Sequence, residues 1–305
     1  MRILVVGAGA VGGYFGGRLQ ENGADVTFLV REGRKKQLEK TGLVIDSVHG
    51  NMALVPKTIV KGDDAQPFDV ILLSTKAYHL DGAIDSIREY AGPHTAVLPL
   101  LNGISHLEQL QAEFGEDKII GGLCFIETTL NQDGKVIQTS PKHDLVFGEL
   151  SGVRSERALK IEAAFKGANI GYRLSDNIKK DLWNKYLFIA VMSGITTLMR
   201  SPIGPIREQA SGRAAISALL AEIVSVMGHL GASFPKDIIE LQKNQINSLD
   251  YTMKSSMQRD MEKGMQVEAD HLHGYLLEAA YKEQIPVPVL EAVYANLKIY
   301  ESTVK

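Results

Sequence analysis

The chain has 305 residues, enough for two domains of ordinary size. Its hydrophobic content of 45% and charged content of 23% are typical of a soluble globular protein. A net charge of −3 provides no basic surface for nucleic acid or an anionic membrane, and the single cysteine, Cys124, excludes an internal disulfide and a cysteine metal cluster. We therefore expect a protein of the reducing cytoplasm, with no nucleic-acid partner, no membrane association and no metal.

The N-terminal stretch has the pattern of a strand, a tight turn and a helix. The apolar run 3–6 ends in a GxGxxG motif, and apolar residues at helical spacing then continue to Asn22-Gly23. In such a motif the first glycine permits the turn, the second lets the backbone approach a pyrophosphate, and the third lets the helix pack on the strand. A glycine-rich turn of another α/β protein is the alternative. The predicted cofactor-binding residues are Gly7, Ala8, Gly9, Ala10, Val11 and Gly12.

The end of the second predicted strand, 25–30, indicates which dinucleotide is bound. NAD enzymes carry an Asp or Glu near this point, where it binds the ribose 2′-hydroxyl. Here Val30 is followed by Arg31, and three more cations stand at positions 34–36. A cluster of cations suits a 2′-phosphate, so the sequence favours NADP with Arg31 as its ligand. Glu32 opposes this interpretation, and an ordinary surface arginine is the alternative.

Two continuous apolar runs, 68–75 and 95–101, predict further strands of a parallel sheet buried on both faces. Lys76 follows the first run and Asn102 follows the second. Open α/β sheets bind their ligands at these strand ends, so we expect both residues to contribute to the site, although each alone is more often a turn residue. The runs 43–47 and 52–60 predict a small excursion or hairpin.

The next segments predict strands at 118–130, 135–139 and 145–149, which we interpret as antiparallel additions to the edge of the sheet. A helix is expected at 156–166 and a last strand at 170–174, after which helical patterns dominate. The predicted fold class is therefore α/β. A doubly wound sheet that binds NADP occupies residues 1–175, and an all-helical substrate and catalytic domain occupies residues 176–305.

Residues 177–199 predict one long helix, which contains a lysine among apolar neighbours. Lys185 falls on the same stripe as Leu182 and Ile189. A desolvated lysine has a lowered pKa and can donate a proton near neutral pH. The alternative is a lysine whose ammonium reaches solvent past the apolar surface. The most apolar part of the helix, 187–199, is too short to span a bilayer.

A second apolar stripe at helical spacing follows near the C-terminus and contains a carboxylate. Its apolar members are Met257, Met261, Met265, Leu272 and Leu276. Glu268 lies within this stripe, where a buried carboxylate needs a partner. It is either one half of a structural ion pair or a substrate ligand. His271 and His273 are two residues apart and share no helical face, so a metal site is not expected there.

These motifs together resemble the ketopantoate reductase (2-dehydropantoate 2-reductase) family, in the family's order and over nearly the whole chain. They are Gly7-x-Gly9-x-x-Gly12-Gly13, Ser74-Thr75-Lys76, Leu101-Asn102-Gly103, Trp183-x-Lys185, Ser255-Ser256-Met257-x-x-Asp260 and Lys263-Gly264-x-x-x-Glu268-x-Asp270. The resemblance implies an N-terminal Rossmann domain that binds NADPH and an all-helical C-terminal domain that closes a cleft over it. The implied reaction reduces 2-dehydropantoate to (R)-pantoate, on the route to pantothenate and coenzyme A.

The resemblance also implies roles for individual residues. Lys185 would be the general acid that protonates the nascent alkoxide, and Glu268 would hold the substrate hydroxyl. Asn102 and Ser256 would be polar ligands of the substrate. Lys76 would lie beside the cofactor and the substrate, and Asn102 would border the cofactor as well.

Two features of the sequence qualify this pattern. Many family members carry asparagines four and eight residues after the lysine, where this chain has Ile189 and Ser193. The pocket wall is therefore less polar, which leaves a bulkier or more apolar 2-keto acid open as the substrate. In addition, Ser256 and Glu268 would lie about 18 Å apart on one straight helix, so we expect a break near Lys263-Gly264.

The leading hypothesis is an NADPH-dependent reductase of 2-dehydropantoate. A reductase of another 2-keto acid, another two-domain dehydrogenase of 3-hydroxyacid or opine type, and a non-catalytic NADPH-binding sensor of the same fold remain as alternatives. The expected partner is a small-molecule 2-keto acid, and the apolar faces of the helical domain allow a homodimer.

Overall fold

The computed structural model describes residues 1–304 and divides into two compact units. The first comprises Met1–Leu101 and His106–Lys179, and the second comprises Asn102–Ser105 together with the chain from Lys180 onward. The short segment 102–105 belongs to the second unit although a strand of the first unit precedes it. The assignment of separate roles to residues 1–175 and 176–305 stays a prediction.

The first unit combines two sheets with five α-helices. The strands are β1 (Arg2–Val6), β2 (Asp25–Leu29), β3 (Leu43–Ser47), β4 (Met52–Leu54), β5 (Lys57–Ile59), β6 (Val70–Leu73), β7 (Ala96–Pro99), β8 (Ile120–Leu130), β9 (Val136–Glu149) and β10 (Gly171–Leu174). The helices are α1 (Ala10–Glu21), α2 (Glu32–Thr41), α3 (Leu80–Ile87), α4 (Ser105–Phe114) and α5 (Glu156–Phe165).

The first sheet is parallel throughout, in the order β5-β2-β1-β6-β7. Val5 of β1 lies opposite Phe28 on one side and Leu72 on the other. Alternate residues of β1 enter two separate hydrophobic cores, because both faces of the sheet are covered. This confirms the doubly wound, Rossmann-type fold class. The strand order reverses at β1, and its carboxyl end is therefore the position where such sheets bind ligands.

The predicted antiparallel additions to the edge of this sheet are wrong. They form a second sheet in the order β10-β9-β3-β4, with β8 antiparallel to β9. The predicted strands 135–139 and 145–149 are one strand, β9 (Val136–Glu149). An isolated bridge between Val97 and Ile119 is where the described ladders of the two sheets meet. Apolar alternation reveals which face of a strand is buried, but it does not reveal the partner strand.

The predicted strand at 52–60 is also wrong, because it is two strands in different sheets. β4 pairs antiparallel with β3, whereas β5 pairs parallel with β2 at the edge of the first sheet. Pro56 stands between them, and proline lacks the N–H that a ladder needs. Only the β3–β4 part is the predicted hairpin.

Helix α1 packs between the two sheets because its glycines allow close approach on both sides. A Cβ on Gly16 would come within 2.7 Å of the Phe28 ring, on the side of the first sheet. A Cβ on Gly17 would come within 2.9 Å of Ile45, on the side of the second sheet. The glycine-rich composition of this helix therefore serves packing as well as the turn that precedes it.

The second unit is helical. Its helices are α6 (Ile178–Met199), α7 (Ile203–Glu208), α8 (Ala210–His229), α9 (Ile238–Asn247), α10 (Ser256–Glu262), α11 (Tyr275–Lys282) and α12 (Pro288–Thr303), with a π-helical turn at Asp270–Gly274. Local sequence explains their starts. Ser255 caps α10 by accepting a hydrogen bond from the Gln258 amide, and Pro288 occupies the first turn of α12, where its missing N–H costs nothing.

By length and composition alone, α8 could cross a membrane, and it is the one helix of residues 1–304 with this property. A buried core helix has the same properties. Leu219, Leu220, Ile223 and Met227 of α8 are completely buried in the helical core. Because α8 packs against α7, α9, α11 and α12, we interpret it as the core helix of this unit.

The predicted break near Lys263-Gly264 is confirmed. Helix α10 ends at Glu262, and Gly264 has φ +67°, a conformation that glycine adopts without strain. The amide of Met265 then donates to the Asp260 carbonyl at 2.9 Å, which closes the helix end. Because the helix stops here, the prediction that Met265 continues the buried stripe is wrong, and 45% of this residue is exposed.

Candidate active site

The turn after β1 has the geometry of a phosphate-binding loop. Gly7 has φ +89°, and Gly9 occupies the N-cap position of α1. A Cβ on Gly9 would meet nothing within 4 Å, and the first turn of α1 has neither a side-chain cap nor an acidic residue. Free N–H groups and open space suit an anion, so these residues fit the pyrophosphate of a dinucleotide.

Gly12 has the packing role that the motif predicts. A Cβ here would lie 2.2 Å from the Gly7 carbonyl oxygen and 2.2 Å from the Ser74 hydroxyl. Ser74 in turn donates to the Val6 carbonyl at 3.1 Å, which joins the end of β6 to the end of β1. Only glycine permits this close approach of helix, turn and strand.

Arg34, one of the cations predicted near the 2′-phosphate, is used within the protein. Its guanidinium donates to the carbonyls of Ala8 at 3.1 Å and Gly134 at 2.9 Å, and to the Gln37 side chain at 2.6 Å. Burial lowers the pKa of this guanidinium from its ordinary value. Arg34 therefore supports the glycine-rich loop through its hydrogen bond to the Ala8 carbonyl.

Arg31 is placed differently from its neighbours in the cation cluster. It is exposed at the N-cap position of α2, directly after β2. Lys35 lies 3.4 Å from the Asp63 carboxylate, whereas no described residue forms an ion pair or a side-chain hydrogen bond with Arg31. Burial, and after it the charge of Arg31, lowers the pKa of His79.

Lys76 and Asn102 each stand three residues beyond neighbouring parallel strands, β6 and β7. The predicted placement at adjacent strand ends is confirmed. Both residues are half-buried, with Lys76 in the first unit and Asn102 in the second. Their roles as ligands stay predictions.

Lys185 lies in the second turn of α6 and is buried, with 9% of its surface exposed. Leu182 on the same stripe is 3% exposed, and Tyr186 is 1% exposed. The predicted position among apolar neighbours is confirmed, while the role as general acid stays a prediction.

The two positions where many relatives carry asparagine present no polar group of that kind. Ser193 is 3% exposed, and its hydroxyl donates to the Ile189 carbonyl at 2.6 Å inside α6. Ile189 is half-buried against the helical core. The hydroxyl of Ser193 is thus consumed by its own helix.

Glu268 and Ser256 lie on opposite sides of the break after α10. Glu268 is half-buried just before the π-helical turn, and Ser256 is exposed as the first residue of α10. Ser255 lies 2.8 Å from the Thr196 hydroxyl, a contact that joins α10 to α6. Because the helix is broken between Ser256 and Glu268, the separation of about 18 Å that a straight helix would impose does not apply. The 12-residue spacing therefore does not prevent both residues from binding one small ligand.

From the sequence, His271 was considered only as a metal ligand and was given no role in this region. Its Nε2 lies 2.6 Å from the Asn102 carbonyl oxygen, and its Nδ1 lies 2.9 Å from the Ser105 hydroxyl. Burial lowers the pKa of His271, while the Glu268 carboxylate acts in the opposite direction. The available signal was its place three residues after Glu268, but the sequence shows neither long-range partner.

The environment of His273 is separate from that of His271, as the two-residue spacing of these histidines predicts. His273 is fully buried, its Nε2 lies 2.9 Å from the Ala190 carbonyl, and burial lowers its pKa to about 4. No group of three or more His, Cys, Asp and Glu residues among residues 1–304 is arranged to hold a metal ion.

Family models match both parts of the chain. The model described as ketopantoate reductase PanE/ApbA matches residues 3–152, and the model of the ketopantoate reductase PanE/ApbA C terminal matches residues 177–301.

Two curated relatives align over nearly the full length. An uncharacterized oxidoreductase, YkpB, of Bacillus subtilis is 47% identical over 99% of both chains. A 2-dehydropantoate 2-reductase of Mesorhizobium japonicum is 26% identical, over 98% of this chain and 97% of the relative.

Solved structures share the whole fold. The 2-dehydropantoate 2-reductase of Geobacter metallireducens has a TM-score of 0.88 at 25% identity, with 98% and 99% of the two chains covered. D-mandelate dehydrogenase with NADH and anilino(oxo)acetate has a TM-score of 0.88 at 20% identity, with 100% and 99% covered. A dimeric ketopantoate reductase of Staphylococcus aureus has a TM-score of 0.83 at 20% identity, with 100% of both chains covered. Because family models match both parts of the chain, the chain belongs to the ketopantoate reductase family of oxidoreductases.

Proposed function

We propose that this protein reduces the ketone of a 2-keto acid with NADPH, and that 2-dehydropantoate, which would yield (R)-pantoate for pantothenate and coenzyme A synthesis, is the first candidate substrate. The observation that carries the proposal is the burial of Lys185 in the helical unit that also holds Asn102 and Glu268. A cation withdrawn from water, with an amide and a carboxylate in the same unit, is the equipment that carbonyl reduction needs.

Each proposed residue has a distinct chemical task. When bound, NADPH supplies the hydride to the carbonyl carbon. The Lys185 ammonium stabilises the charge that develops on the carbonyl oxygen and then gives that oxygen a proton, which yields the hydroxyl. Glu268 accepts a hydrogen bond from this hydroxyl and keeps the group oriented. Asn102 and Ser256 hold the polar atoms of the substrate, and Lys76 adds a second positive charge beside it.

The preference for NADPH rests on the chain after β2. Arg31 is exposed and follows Val30, where an enzyme selective for NAD carries an acidic residue. A guanidinium binds a phosphate through paired hydrogen bonds, so Arg31 is the proposed ligand of the 2′-phosphate. The backbone of residues 7–12 is proposed to bind the pyrophosphate.

A different 2-keto acid is the second candidate. It is favoured by Ile189, and by Ser193 with its hydroxyl bonded inside α6, because this wall offers less hydrogen bonding to a hydroxylated substrate. A substrate with a bulkier apolar side chain fits such a wall better.

The test measures NADPH oxidation by the purified protein with a panel of 2-keto acids that includes 2-dehydropantoate. Turnover of 2-dehydropantoate as the best substrate supports the first candidate, and turnover of another member supports the second. Tight NADPH binding without any turnover contradicts the proposal and indicates a sensor.

Location and assembly are also proposed. The single buried Cys124 and the net charge of −3 suit the cytoplasm, and the dimeric Staphylococcus aureus protein of this fold supports a homodimer. Light scattering after size exclusion gives the mass in solution, and a monomer contradicts the dimer.

A further inference from the structure

His271 makes two hydrogen bonds to one short loop. Its Nε2 lies 2.6 Å from the Asn102 carbonyl oxygen and its Nδ1 lies 2.9 Å from the Ser105 hydroxyl. A carbonyl can only accept, so Nε2 carries the proton, and in the neutral ring Nδ1 accepts from the Ser105 hydroxyl. One tautomer therefore satisfies both ends of the loop 102–105.

The same loop is pressed against the turn that carries His271. Gly103 has φ +76°, and a Cβ there would lie 3.1 Å from Leu272 Cδ2 and 3.2 Å from His271 Nε2. A side chain at Gly103 would push the loop away from the imidazole. Hydrogen bonds and close packing therefore both hold the loop 102–105 against the turn that carries His271.

The far side of this turn is fixed to the helix of Lys185. The hydroxyl of Tyr186 donates to the Leu272 carbonyl at 2.5 Å. Tyr186 is 1% exposed, and burial raises its pKa well above the ordinary value, so the hydroxyl keeps the proton that it donates. The residue after His271 is thereby tied to the residue after Lys185.

We propose that His271 is a positioning residue, which holds the loop of Asn102 against the turn after Glu268 so that the amide and the carboxylate meet the substrate in one fixed geometry. This inference rests on the proposed function. His271 contacts the main chain of Asn102 and acts on the substrate only through its neighbours. Since misplacement of substrate-binding groups by about 1 Å can cost a hundredfold in rate, the contact matters for catalysis.

The test compares His271→Leu with His271→Gln in steady-state kinetics with the best 2-keto acid. Leucine cannot donate to the Asn102 carbonyl, whereas the glutamine amide can. We expect His271→Leu to lower kcat/KM about tenfold or more, chiefly through kcat, and His271→Gln to recover most of it. The dissociation constant of NADPH should change less than kcat/KM does, because the pyrophosphate is proposed to bind the backbone of residues 7–12, whereas His271 bonds to the main chain of Asn102.

A double-mutant cycle with Asn102→Ala separates positioning from a general structural role. If His271 acts through Asn102, His271→Leu has little further effect once the amide is absent. An equal loss in both backgrounds, or an unchanged kcat/KM in His271→Leu, overturns the inference. A failure of His271→Gln to recover activity also overturns it.

The experiment also gives a clear answer if His271→Leu does not fold or if the wild type is inactive. If His271→Leu does not fold, Ser105→Ala replaces it, with an expected loss of about threefold that vanishes in the Asn102→Ala background, and its absence overturns the inference. If the wild type reduces no 2-keto acid, the proposed function fails and this inference fails with it. If the wild type is active and His271→Leu is equally active, the inference alone fails.

Discussion

The glycine loop after β1 and the cluster around His271 are built in opposite ways. The loop is one continuous stretch in which main-chain conformation does the work, with Gly7 at φ +89° and open space above Gly9. The cluster joins residues 166 and 169 positions apart, through side chains that bond to a hydroxyl and to a carbonyl. The first arrangement is visible in local sequence, while the second exists only after folding.

This difference separates two kinds of function. A loop made of glycines and main-chain N–H groups accepts any dinucleotide and cannot choose a ketone. A cluster of groups that folding brings together from distant parts of the chain can discriminate between ketones. Substitutions in the two regions should therefore fail in different ways.

The largest expected effect follows loss of the proposed acid. Lys185→Ala should lower kcat by about 10²–10⁴-fold, the usual contribution of general acid catalysis, with NADPH affinity nearly unchanged. Stopped-flow measurement of NADPH oxidation checks this. Lys179→Ala, an exposed lysine in the first turn of the same helix, is the matched control and should keep the wild-type rate. Full activity of Lys185→Ala would show that another group supplies the proton.

Next come two glycines of the loop, which should fail differently. Gly12→Ala places a Cβ 2.2 Å from the Gly7 carbonyl, so we expect a loss of stability of about 3 kcal/mol or more. Gly9→Ala meets no atom within 4 Å and should fold normally but bind NADPH poorly. Thermal unfolding and a cofactor titration on both variants check the contrast. A stable Gly12→Ala variant contradicts this close packing of Gly12 against Gly7 and Ser74.

A third effect concerns His273 in the helical unit. Burial lowers the pKa of this imidazole from 6.5 to about 4. In the unfolded chain His273 binds a proton below pH 6.5, whereas in the folded protein its imidazole stays neutral until about pH 4. The stabilisation from neutral His273 is therefore complete above pH 6.5 and is lost as the pH falls towards 4, by roughly 3 kcal/mol.

Urea unfolding between pH 7 and 4 measures this loss. The variant His273→Gln, which cannot be protonated but can donate to the Ala190 carbonyl, should lose less stability than the wild type over the same range. Equal slopes for the two proteins would show that His273 is protonated alike in both states.

The smallest expected effect concerns cofactor choice. Arg31→Ala should weaken NADPH binding about tenfold and leave NADH binding unchanged, because only NADPH carries the 2′-phosphate. Arg34→Ala should alter both cofactors alike, since its guanidinium supports the Ala8 carbonyl. Fluorescence titrations with both cofactors measure the ratio. A ratio that moves with Arg34 and not with Arg31 reverses the assignment.

The sequence predicted what local patterns can encode. The turn at Gly7, the strand ends before Lys76 and Asn102, the burial of Lys185 and the break at Gly264 all depend on short spacings or on single glycines. Family resemblance, carried by motifs spread over the chain, supplied the chemistry.

The sequence did not reveal which distant strands and side chains pair with one another. The segment 52–60 was predicted as one strand although Pro56 interrupts it, and its halves join different sheets. Met265 keeps the helical spacing of Met261 but lies beyond the break, so it is exposed. The hydrogen bonds of His271 were not predicted because its partners, Asn102 and Ser105, are far away in sequence.

In the proposed reaction, the helical unit presents Lys185 and Glu268 to the oxygen of the ketone that is reduced. A crystal structure of the protein with NADP⁺ and the 2-hydroxy acid product of its best substrate tests this most directly. We predict that Lys185 Nζ and a Glu268 carboxylate oxygen both lie about 3 Å from the product hydroxyl. A product hydroxyl held by other groups, with Lys185 turned away from it, would contradict the account.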